Sequence, residues 1–386
     1  MARVLITDGE ERSALAVVRS LGQAGHHVIV CSARRRSLAG ASRWARERAL
    51  VPEPLAAPDA YAAAVERLIG ATGAEVLLPL SEGSLLALLP QRERLGVIFP
   101  FSSLQSFNRI RDKAEVLEVA RRLGIGVPGQ RVAPRPAAAP PAAALSFPVV
   151  LKPARSVIEG GNGNGGRAKS SVMHAADAGA YGAALEAMPD GAYPLLVQER
   201  IVGPGAGVFL LIWDGEPLAA FGHRRLREKP PSGGVSVYRE SAPVDERVLS
   251  LSLALLRHFD WRGVAMVEFK IDERTGKPYL MEINGRFWGS LQLAIDAGVD
   301  FPALLVAAAT GERPAPVRSY GLGVRTRWWW GDVDHLLARV RHGDGDVGAA
   351  LGAFARATLE GAKNEVMRWN DPMPGVRETI DWFRGR

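Results

Sequence analysis

The residues with the clearest chemical potential lie in a predicted β-hairpin, residues 263–290, with the sequence GVAMVEFKIDERTGKPYLMEINGRFWGS. Two segments of alternating apolar and polar residues flank the turn-rich DERTGK, a pattern typical of paired strands. Pairing Asp272 with Pro278 sets a register in which Phe269 lies opposite Met281 on the side that faces the core. The other side of the hairpin is polar.

On the polar side this register places Glu268 directly opposite Glu282, with Asn284 two residues further along. Opposed Cβ atoms are about 4.5–5.5 Å apart, so the two carboxylates require a cation between them. In one interpretation Lys270 is that cation and the group is a surface ion-pair cluster. In the other it is Mg²⁺, which binds one or two protein carboxylates and completes its coordination with water and phosphate oxygens. Arg286 follows shortly after, and its planar guanidinium suits phosphate or carboxylate.

Length and composition indicate a folded protein of two or three domains. The chain has 386 residues, of which 47% are hydrophobic and 23% charged, values typical of globular proteins. Its single cysteine, Cys31, excludes an intramolecular disulfide framework and a cysteine-rich zinc site. A reducing cytoplasm is therefore the expected location.

Membranes and nucleic acids are not expected partners. The N-terminal MARVLITDGEERS has too short an apolar run for a signal peptide, and nowhere are there about 20 uninterrupted apolar residues. The net charge of +7 favours an anionic ligand, and it leaves a nucleic acid as an alternative. The arginines are scattered, however, which argues against a nucleic-acid-binding surface.

The first eighty residues predict a parallel sheet flanked by helices. Residues 3–7 and 27–31 have the pattern of buried strands, and residues 13–25 between them predict a helix. The turn after the first strand, DGEERS, lacks the Gly-x-Gly-x-x-Gly of a dinucleotide site. A later strand ends at Ser81 and Glu82, which could contact a ligand at the carboxyl edge of the sheet or simply cap a helix.

Two lysines stand out in the middle of the chain. Residues 106–124 predict a helix with Asp112 and Lys113 in its middle, where a lysine is normally on the solvated surface. Residues 147–153 predict a strand that places Lys152 among apolar neighbours. Because a buried ammonium group requires an anionic partner, Lys152 indicates a phosphate or carboxylate nearby.

A glycine-rich run follows Lys152 at residues 160–166. Its glycines leave backbone N–H groups free to bind phosphate oxygens and also permit a moving lid, although such a run alone is often only a flexible loop. The glycines concerned are Gly160, Gly161, Gly163, Gly165 and Gly166.

Four further segments have sequences that apolar periodicity does not fully explain. Within residues 195–203, an apolar run is followed by Gln198 and Glu199, which is the pattern of a strand end. Residues 222–234 crowd cations, including Arg224 and Arg225, into a predicted loop; a solvated charge run is the simplest explanation. The three tryptophans 328–330 predict a core strand or a packing cluster. Residues 132–145 predict an irregular connector.

Taken together, these segments resemble the ATP-grasp superfamily over residues 1–312. The helix lysine, strand lysine, glycine run, hinge strand, cation-rich segment and Glu…Glu-x-Asn-x-Arg hairpin occur in the order found in that superfamily. The resemblance implies an α/β and α+β architecture: an N-terminal parallel-sheet (pre-ATP-grasp) domain, 1–105, a linking helix with a small subdomain, 106–202, and a large subdomain, 203–312. A C-terminal helical extension, 313–386, lies outside the resemblance.

The resemblance also assigns roles. ATP would be bound by Lys113, Lys152, the glycine run and an edge strand at the hinge, the last through Gln198, Glu199 and Ile201. Mg²⁺ or Mn²⁺ would be bound by Glu268, Glu282 and Asn284. The substrate set would be Arg286, Arg224, Arg225, Ser81 and Glu82, with Arg286 and Lys152 as catalytic residues. Catalysis in such a site is positioning and charge neutralisation around the transferred phosphoryl group.

The implied activity is ATP-dependent activation of a small-molecule carboxylate as an acyl phosphate, followed by attack of an amine. The neighbouring alternatives are a carboxylate–thiol ligase and a bicarbonate-activating carboxylase; no biotin or carrier attachment segment is found. A non-catalytic basic protein that binds nucleotide or nucleic acid is the alternative outside enzymes. The oligomeric state is left open, with a homodimer as the candidate, and the two substrates are not identified.

Overall fold

The N-terminal part of the chain is a parallel four-stranded sheet flanked by helices, as predicted. In the computed structural model, which describes residues 1–159, 166–231, 233–342 and 347–385, its strand order is β3-β2-β1-β4. The strands are β1 (Arg3–Ile6), β2 (His27–Ser32), β3 (Ala45–Leu50) and β4 (Val76–Leu78). The helices are α1 (Arg12–Gln23), α2 (Pro58–Thr72), α3 (Glu82–Leu88) and α4 (Arg92–Leu95). Apolar side chains of β1, β2 and β4 are fully buried against α1 and α2.

The linking segment contains two helices where one was predicted. They are α5 (Leu104–Ile110) and α6 (Lys113–Arg122). The prediction of a single helix was wrong because Asp112 ends the first helix and caps the second: its side chain accepts hydrogen bonds from the N–H groups of Ala114 and Glu115. Lys113 is consequently the first residue of α6, where its side chain is buried.

A second, antiparallel sheet lies in the middle of the chain, in the order β5-β10-β6-β9. A separate hairpin, β7–β8, flanks the glycine run. The six strands are β5 (Gln130–Ala133), β6 (Val149–Pro153), β7 (Val157–Glu159), β8 (Arg167–Lys169), β9 (Met173–Ala175) and β10 (Leu195–Glu199), and helix α7 is Ala178–Glu186. The predicted connector thus begins inside β5. Strand β10 pairs on both sides, so the expectation of an edge strand at the hinge was also wrong.

The largest sheet has seven strands in the order β15-β14-β11-β12-β13-β16-β17. These are β11 (Gly205–Trp213), β12 (Glu216–Lys229), β13 (Val235–Ser241), β14 (Gly263–Ile271), β15 (Pro278–Asn284), β16 (Arg325–Arg327) and β17 (Lys363–Asn364). Helices α8 (Glu246–His258), α9 (Leu291–Asp296) and α10 (Phe301–Ala309) follow strands β13 and β15. Predicted residues 290–310 therefore form two helices.

Residues 222–229 of the cation-rich segment belong to strand β12, so the predicted loop was wrong over these residues. Its charges are paired by residues that are distant in the sequence. Arg224 pairs with Glu240 on β13, and Arg227 pairs with Asp332 at 2.6 Å. A strand with several charged positions lacks the apolar alternation by which strands are recognised in a sequence.

The C-terminal segment contains helices and also completes the large sheet. Its helices are α11 (Trp329–His342), α12 (Val347–Leu359) and α13 (Met373–Arg384), and strands β16 and β17 join the sheet edge. The tryptophans form a packing cluster and not a strand: Trp330 stacks on Trp382 with ring centroids 4.0 Å apart. Arg19 of α1 forms an ion pair with Asp371 at 2.8 Å, which ties the segment to the N-terminal sheet. Among the described residues, no helix is long and apolar enough to span a bilayer.

Candidate functional site

A cavity of about 470 Å³ lies between the four-stranded antiparallel sheet and the seven-stranded sheet. This is within the usual range for small-molecule sites. Ten residues predicted from the sequence line it: Lys113, Lys152, Gln198, Glu199, Ile201, Arg225, Glu268, Glu282, Asn284 and Arg286. Segments separated by up to 173 positions thus come together at one place, although their roles remain predictions.

The predicted hairpin is formed by β14 and β15, and its register is correct near the glutamates. Glu268 lies opposite Glu282, and Val267 opposite Ile283. Beyond Glu268 a β-bulge shifts the pairing by one residue, so that Phe269 faces Leu280 and not Met281. The bulge leaves Leu280 in the core, while consecutive Met281 and Glu282 both line the cavity.

Arg225 of β12 forms an ion pair with Glu268 of β14 over the intervening strand β11, which has a glycine at this position. Arg225 lies on β12, and its guanidinium contacts Glu268 at 2.7 Å and Glu228 at 2.9 Å. Strand β11 lies between β12 and β14 and contributes Gly205, where an added Cβ would be 2.8 Å from Arg225 Cδ. Glycine at 205 is therefore required for the ion pair. Burial raises the pKa of Glu268, and the charge of Arg225 opposes this shift.

Glu282 lies among several cations. Lys113 Nζ is 3.4 Å from it, and the Asn284 side-chain amide donates a hydrogen bond to it at 3.0 Å. Burial raises the pKa of Glu282, but the charge of Lys113, the hydrogen bond from Asn284 and the charges of Lys152 and Arg286 outweigh burial and bring the pKa to about 2. Glu282 is thus ionised at every physiological pH.

Lys152 is the buried ammonium group that the sequence indicated. It extends from β6, and burial lowers its pKa to about 8, with Glu282 opposing this effect and Lys113 adding to it. Lys113 also donates a hydrogen bond to Ser156 at 2.7 Å. Two lysines from different elements therefore flank one carboxylate and leave positive charge facing the cavity.

The donor set of the hairpin fits a hard divalent cation. Glu268 and Glu282 supply carboxylate oxygens, and the side-chain oxygen of Asn284 faces the same cavity, which is the oxygen chemistry that Mg²⁺ uses with few protein ligands. Among the described residues no group of three or more His, Cys, Asp or Glu is arranged to hold a metal. Both glutamates also form ion pairs within the protein: Glu268 with Arg225 and Glu282 with Lys113. The sequence had suggested Lys270 as the cation instead. A metal here would share the carboxylates with these two side chains.

Arg286 lies at the far end of the hairpin from the turn. One nitrogen donates a hydrogen bond to the carbonyl of Phe287 at 3.1 Å, and another is 3.5 Å from Asn284 Oδ1. The side chain is half-buried and lines the cavity. Its guanidinium can therefore bind a planar anion next to the two glutamates.

The residues predicted to bind adenine line the same cavity, on and just after β10. Gln198 is buried and donates a hydrogen bond to Gln130 at 2.6 Å. Glu199 accepts one from the N–H of Gly129 at 2.8 Å, and Ile201 is buried beside them. Both polar side chains thus hold β10 to the neighbouring residues Gly129 and Gln130.

Four predicted substrate or nucleotide residues lie elsewhere. Ser81 caps α3 and donates a hydrogen bond to Asp8 at 2.8 Å, and Glu82 pairs with Arg111 at 2.9 Å, so the helix-cap alternative describes them. Arg224 points to the opposite face of the sheet from Arg225, because successive residues of a strand alternate. Gly166 lies beside Ala56 of the N-terminal part.

The remaining glycines of the predicted phosphate loop lie outside the described residues. These are Gly160, Gly161, Gly163 and Gly165, and Ser232 of the cation-rich segment also lies outside them.

Several residues that line the cavity were not found from the sequence. His223 and Glu228 of β12, Arg239 of β13 and Arg12 of α1 belong to this group. Arg12 and Arg239 both pair with Glu365 of the C-terminal segment. The only available signal was the pair of glycines in the apolar sequence Gly-Ala-Gly-Val-Phe of β11, which indicates close approach of neighbouring side chains.

Comparisons with known proteins agree with this arrangement. The family profile described as "ATP-grasp in the biosynthetic pathway with Ter operon" matches residues 192–329. A comparison with curated proteins finds no match.

Several solved structures share the fold at low sequence identity. Biotin carboxylase from Campylobacter jejuni, in complex with β,γ-ATP, has a TM-score of 0.65 at 17% identity, covering 84% of this chain and 74% of that one. L-Amino acid ligase from Bacillus licheniformis has a TM-score of 0.62 at 16% identity, with coverages of 81% and 74%. The ADP complex of purK, an N5-carboxyaminoimidazole ribonucleotide synthetase, has a TM-score of 0.66 at 15% identity, with coverages of 88% and 85%.

Residues 192–329 thus match an ATP-grasp family profile, and the chain shares its fold with these solved structures.

Proposed function

We propose that the protein is an ATP- and Mg²⁺-dependent ligase that activates a carboxylate as an acyl phosphate and transfers the acyl group to an amine, releasing ADP and phosphate. The observation that carries the proposal is the convergence of Lys113, Lys152, Glu268, Glu282 and Arg286 on one cavity. Neither an ion-pair cluster nor a passive nucleotide site requires a further guanidinium, that of Arg286, beside the paired carboxylates.

The lysines bind the phosphates in this proposal. Lys113 and Lys152 line the same cavity as β10 and the hairpin, and both are buried, so their charges act in a medium of low dielectric constant. Their positive charge neutralises the γ-phosphate as it leaves ADP. This is stabilisation by positioned charge, the main contribution in phosphoryl transfer.

The hairpin would hold the metal and the carboxylate substrate. Glu268, Glu282 and Asn284 would bind Mg²⁺, which would neutralise phosphate charge and align the reacting oxygens. Arg286 binds the substrate carboxylate in a bidentate manner and afterwards stabilises the acyl phosphate. Burial brings the pKa of Lys152 to about 8, so the side chain is mostly charged at pH 7, and a bound phosphate would favour the charged form further.

The amine then attacks the acyl carbon, and phosphate departs. A thiol or bicarbonate in place of the amine would give the neighbouring activities named above, and the structure of the acceptor decides between them. The proposal also includes a division of the chain into four parts at residues 105, 202 and 312 and a homodimeric assembly. It further includes a reducing cytoplasmic location, with which the buried Cys31 is compatible.

The test is a screen for substrates. The protein is incubated with Mg-ATP and pools of carboxylic acids and amines, and ADP and phosphate release are measured. We expect release that depends on both a carboxylate and an amine, and loss of release in Arg286→Ala. Arg224→Ala is the matched control, because Arg224 lies on the opposite face of the same sheet. Binding of nucleic acid in low salt without ATP turnover in any pool would favour the non-catalytic alternative.

A further inference from the structure

One wall of the cavity holds buried polar atoms without hydrogen-bond partners. Both ring nitrogens of His223, Oγ of Ser236 and the indole Nε1 of Trp288 have none, although these residues are only 4%, 6% and 2% exposed. All three line the cavity. Buried polar groups in proteins nearly always have partners, so this wall is complementary to a polar ligand.

The wall lies next to the predicted metal site, across a glycine. Glu268, Gly207 and His223 are successive cross-strand neighbours on β14, β11 and β12, which puts the Cα atoms of Glu268 and His223 roughly 10 Å apart. Gly207 has no side chain, and an added Cβ there would be 2.7 Å from the ring of Phe209. The ring of Phe209 therefore occupies the space beside Gly207, between Glu268 and His223.

Phe209 fixes both aromatic members of the wall. Its ring centroid is 4.6 Å from that of His223 and 4.4 Å from that of Trp288. The two side chains thus share one rigid support, and their unpartnered nitrogens have a defined spacing before any ligand binds. Such preorganisation lowers the entropic cost of binding.

The surroundings keep His223 neutral. Burial lowers its pKa well below the ordinary value, and the charges of Arg225 and Arg239 lower it further. A neutral imidazole has one N–H donor and one unprotonated nitrogen, and the second needs a donor from the ligand. Ser236 and Trp288 offer donors, so the complementary ligand carries both an N–H group and an oxygen acceptor.

The charges around the wall select the protonation state of that ligand. Arg12, Arg225, Arg239 and Arg286 line this end of the cavity, against the carboxylates Glu228 and Glu268, which are both paired with Arg225. An ammonium group here would meet several cations and a neutral histidine. A free amine meets a hydrogen-bond acceptor without repulsion.

We propose that His223, Ser236 and Trp288 form the acceptor subsite and that it binds an uncharged amine that also bears an oxygen acceptor. The proposal rests on the function proposed above. The amine nitrogen forms the C–N bond with the acyl carbon while the bond from that carbon to the phosphate oxygen breaks. Phosphate leaves with the electron pair and takes the amine proton, so that the products are the amide and hydrogen phosphate. His223 orients the amine and stays neutral throughout.

The test is direct binding to the full-length protein without ATP. Imidazole ¹⁵N resonances of the seven histidines are recorded at pH 7, and the pair lost in His223→Ala is assigned to His223. Hydroxylamine, an uncharged amine with an oxygen acceptor at this pH, should shift that pair. Methylamine, an ammonium ion at this pH, should not. Equal shifts with both probes, no shift with either, or imidazolium-type resonances for His223 would overturn the proposal.

A kinetic test separates this proposal from the proposed function. With Mg-ATP and pooled amino acids as carboxylates, hydroxylamine gives hydroxamates, and His223→Ala should lower kcat/KM for hydroxylamine about tenfold while the KM for ATP stays within about twofold. His223→Asn, which keeps a donor and an acceptor, should recover part of the loss. Parallel loss of ATP binding, or no loss, contradicts the subsite. Absence of ATP turnover in the wild type, with the resonance shift present, contradicts only the ligase.

Discussion

Replacement of Glu282 by glutamine removes the charge on which the cations of the site converge while keeping the side-chain shape. A pKa of about 2, against an ordinary 4.5, corresponds to roughly 3 kcal/mol of favourable interaction with the ionised form. The side chain is 30% exposed, and solvent screening reduces this to about 1–2 kcal/mol. We expect Glu282→Gln to be less stable by that amount at pH 7 but still folded.

The pH dependence of this loss has a definite sign. Because the folded-state pKa of Glu282 is depressed, its contribution is present above pH 4.5 and disappears as the pH falls through about 2. The stability difference between the variant and the wild type should therefore be constant from pH 6 to 8 and shrink in acid. Denaturant unfolding at several pH values measures it.

The functional effect should be larger than the effect on stability. Loss of one of two metal carboxylates should abolish ATP turnover and weaken Mg²⁺ binding, measured calorimetrically with a non-hydrolysable ATP analogue. Glu273→Gln, in the exposed hairpin turn, is the control for a change of one charge. Unchanged Mg²⁺ affinity and turnover in Glu282→Gln would refute the metal site and leave an ion-pair cluster.

Three further substitutions probe neighbouring groups. Burial lowers the pKa of Lys152 to about 8, so ATP affinity should fall as the pH rises through 8. Lys152→Arg should flatten this pH dependence, because arginine stays charged. Fluorescence titration with ATP measures the affinity, and an equal pH dependence in both proteins would contradict the role of Lys152 in binding phosphate. Arg286→Ala should lower kcat by about 10²–10³ and change the Kd for ATP by less than about threefold, whereas a comparable loss in both would place Arg286 at the nucleotide. Glu378 of α13 accepts a hydrogen bond from the indole N–H of Trp328 at 2.6 Å. Burial raises the pKa of Glu378 to about 7, so the stability that it contributes is present below pH 4.5 and lost as the pH rises through 7. Glu378→Gln should therefore flatten Tm between pH 5 and 8, and an unchanged profile would argue against a buried acid.

The hairpin could be predicted because its two faces meet different surroundings. Alternation separated Val267 and Phe269 from Glu268, and the predicted pairing of Glu268 with Glu282 is confirmed. The predicted pairing at the turn was wrong, because Pro278 lies opposite Ile271 and not Asp272. The bulge could not be predicted, because Leu280 and Met281 are both apolar and either could face the core. Only packing against the rest of the sheet decides that Leu280 is the buried one.

The cation-rich strand was missed because its partners lie far away in the sequence. Arg227 is paired by Asp332, and Arg225 by Glu268, so each charge is matched by a residue that sequence neighbours do not reveal. Ser81 lies outside the cavity, and its predicted substrate role stays a prediction. A serine at the end of a strand satisfies a helix N-terminus as readily as a ligand, and here it caps α3.

The residues of the acceptor subsite could not be predicted from the sequence. His223 acquires its significance from burial and from the neighbouring Arg225 and Arg239, and all three lie on strands whose pairing depends on the complete sheet. An isolated histidine in a charged segment has no such signal. Lack of hydrogen-bond partners is a property that only the folded chain reveals.

The central claim is that a carboxylate oxygen is transferred to the phosphoryl group of ATP. Carboxylic acids labelled with ¹⁸O in their carboxyl oxygens, supplied as the pool that supports ADP release, test it directly with Mg-ATP and the amine pool. An acyl phosphate predicts one ¹⁸O atom in each molecule of inorganic phosphate, detected by ³¹P NMR or mass spectrometry. Unlabelled phosphate, or a stable product phosphorylated on a hydroxyl group, would contradict the ligase and identify a phosphatase-like or kinase activity on the same fold.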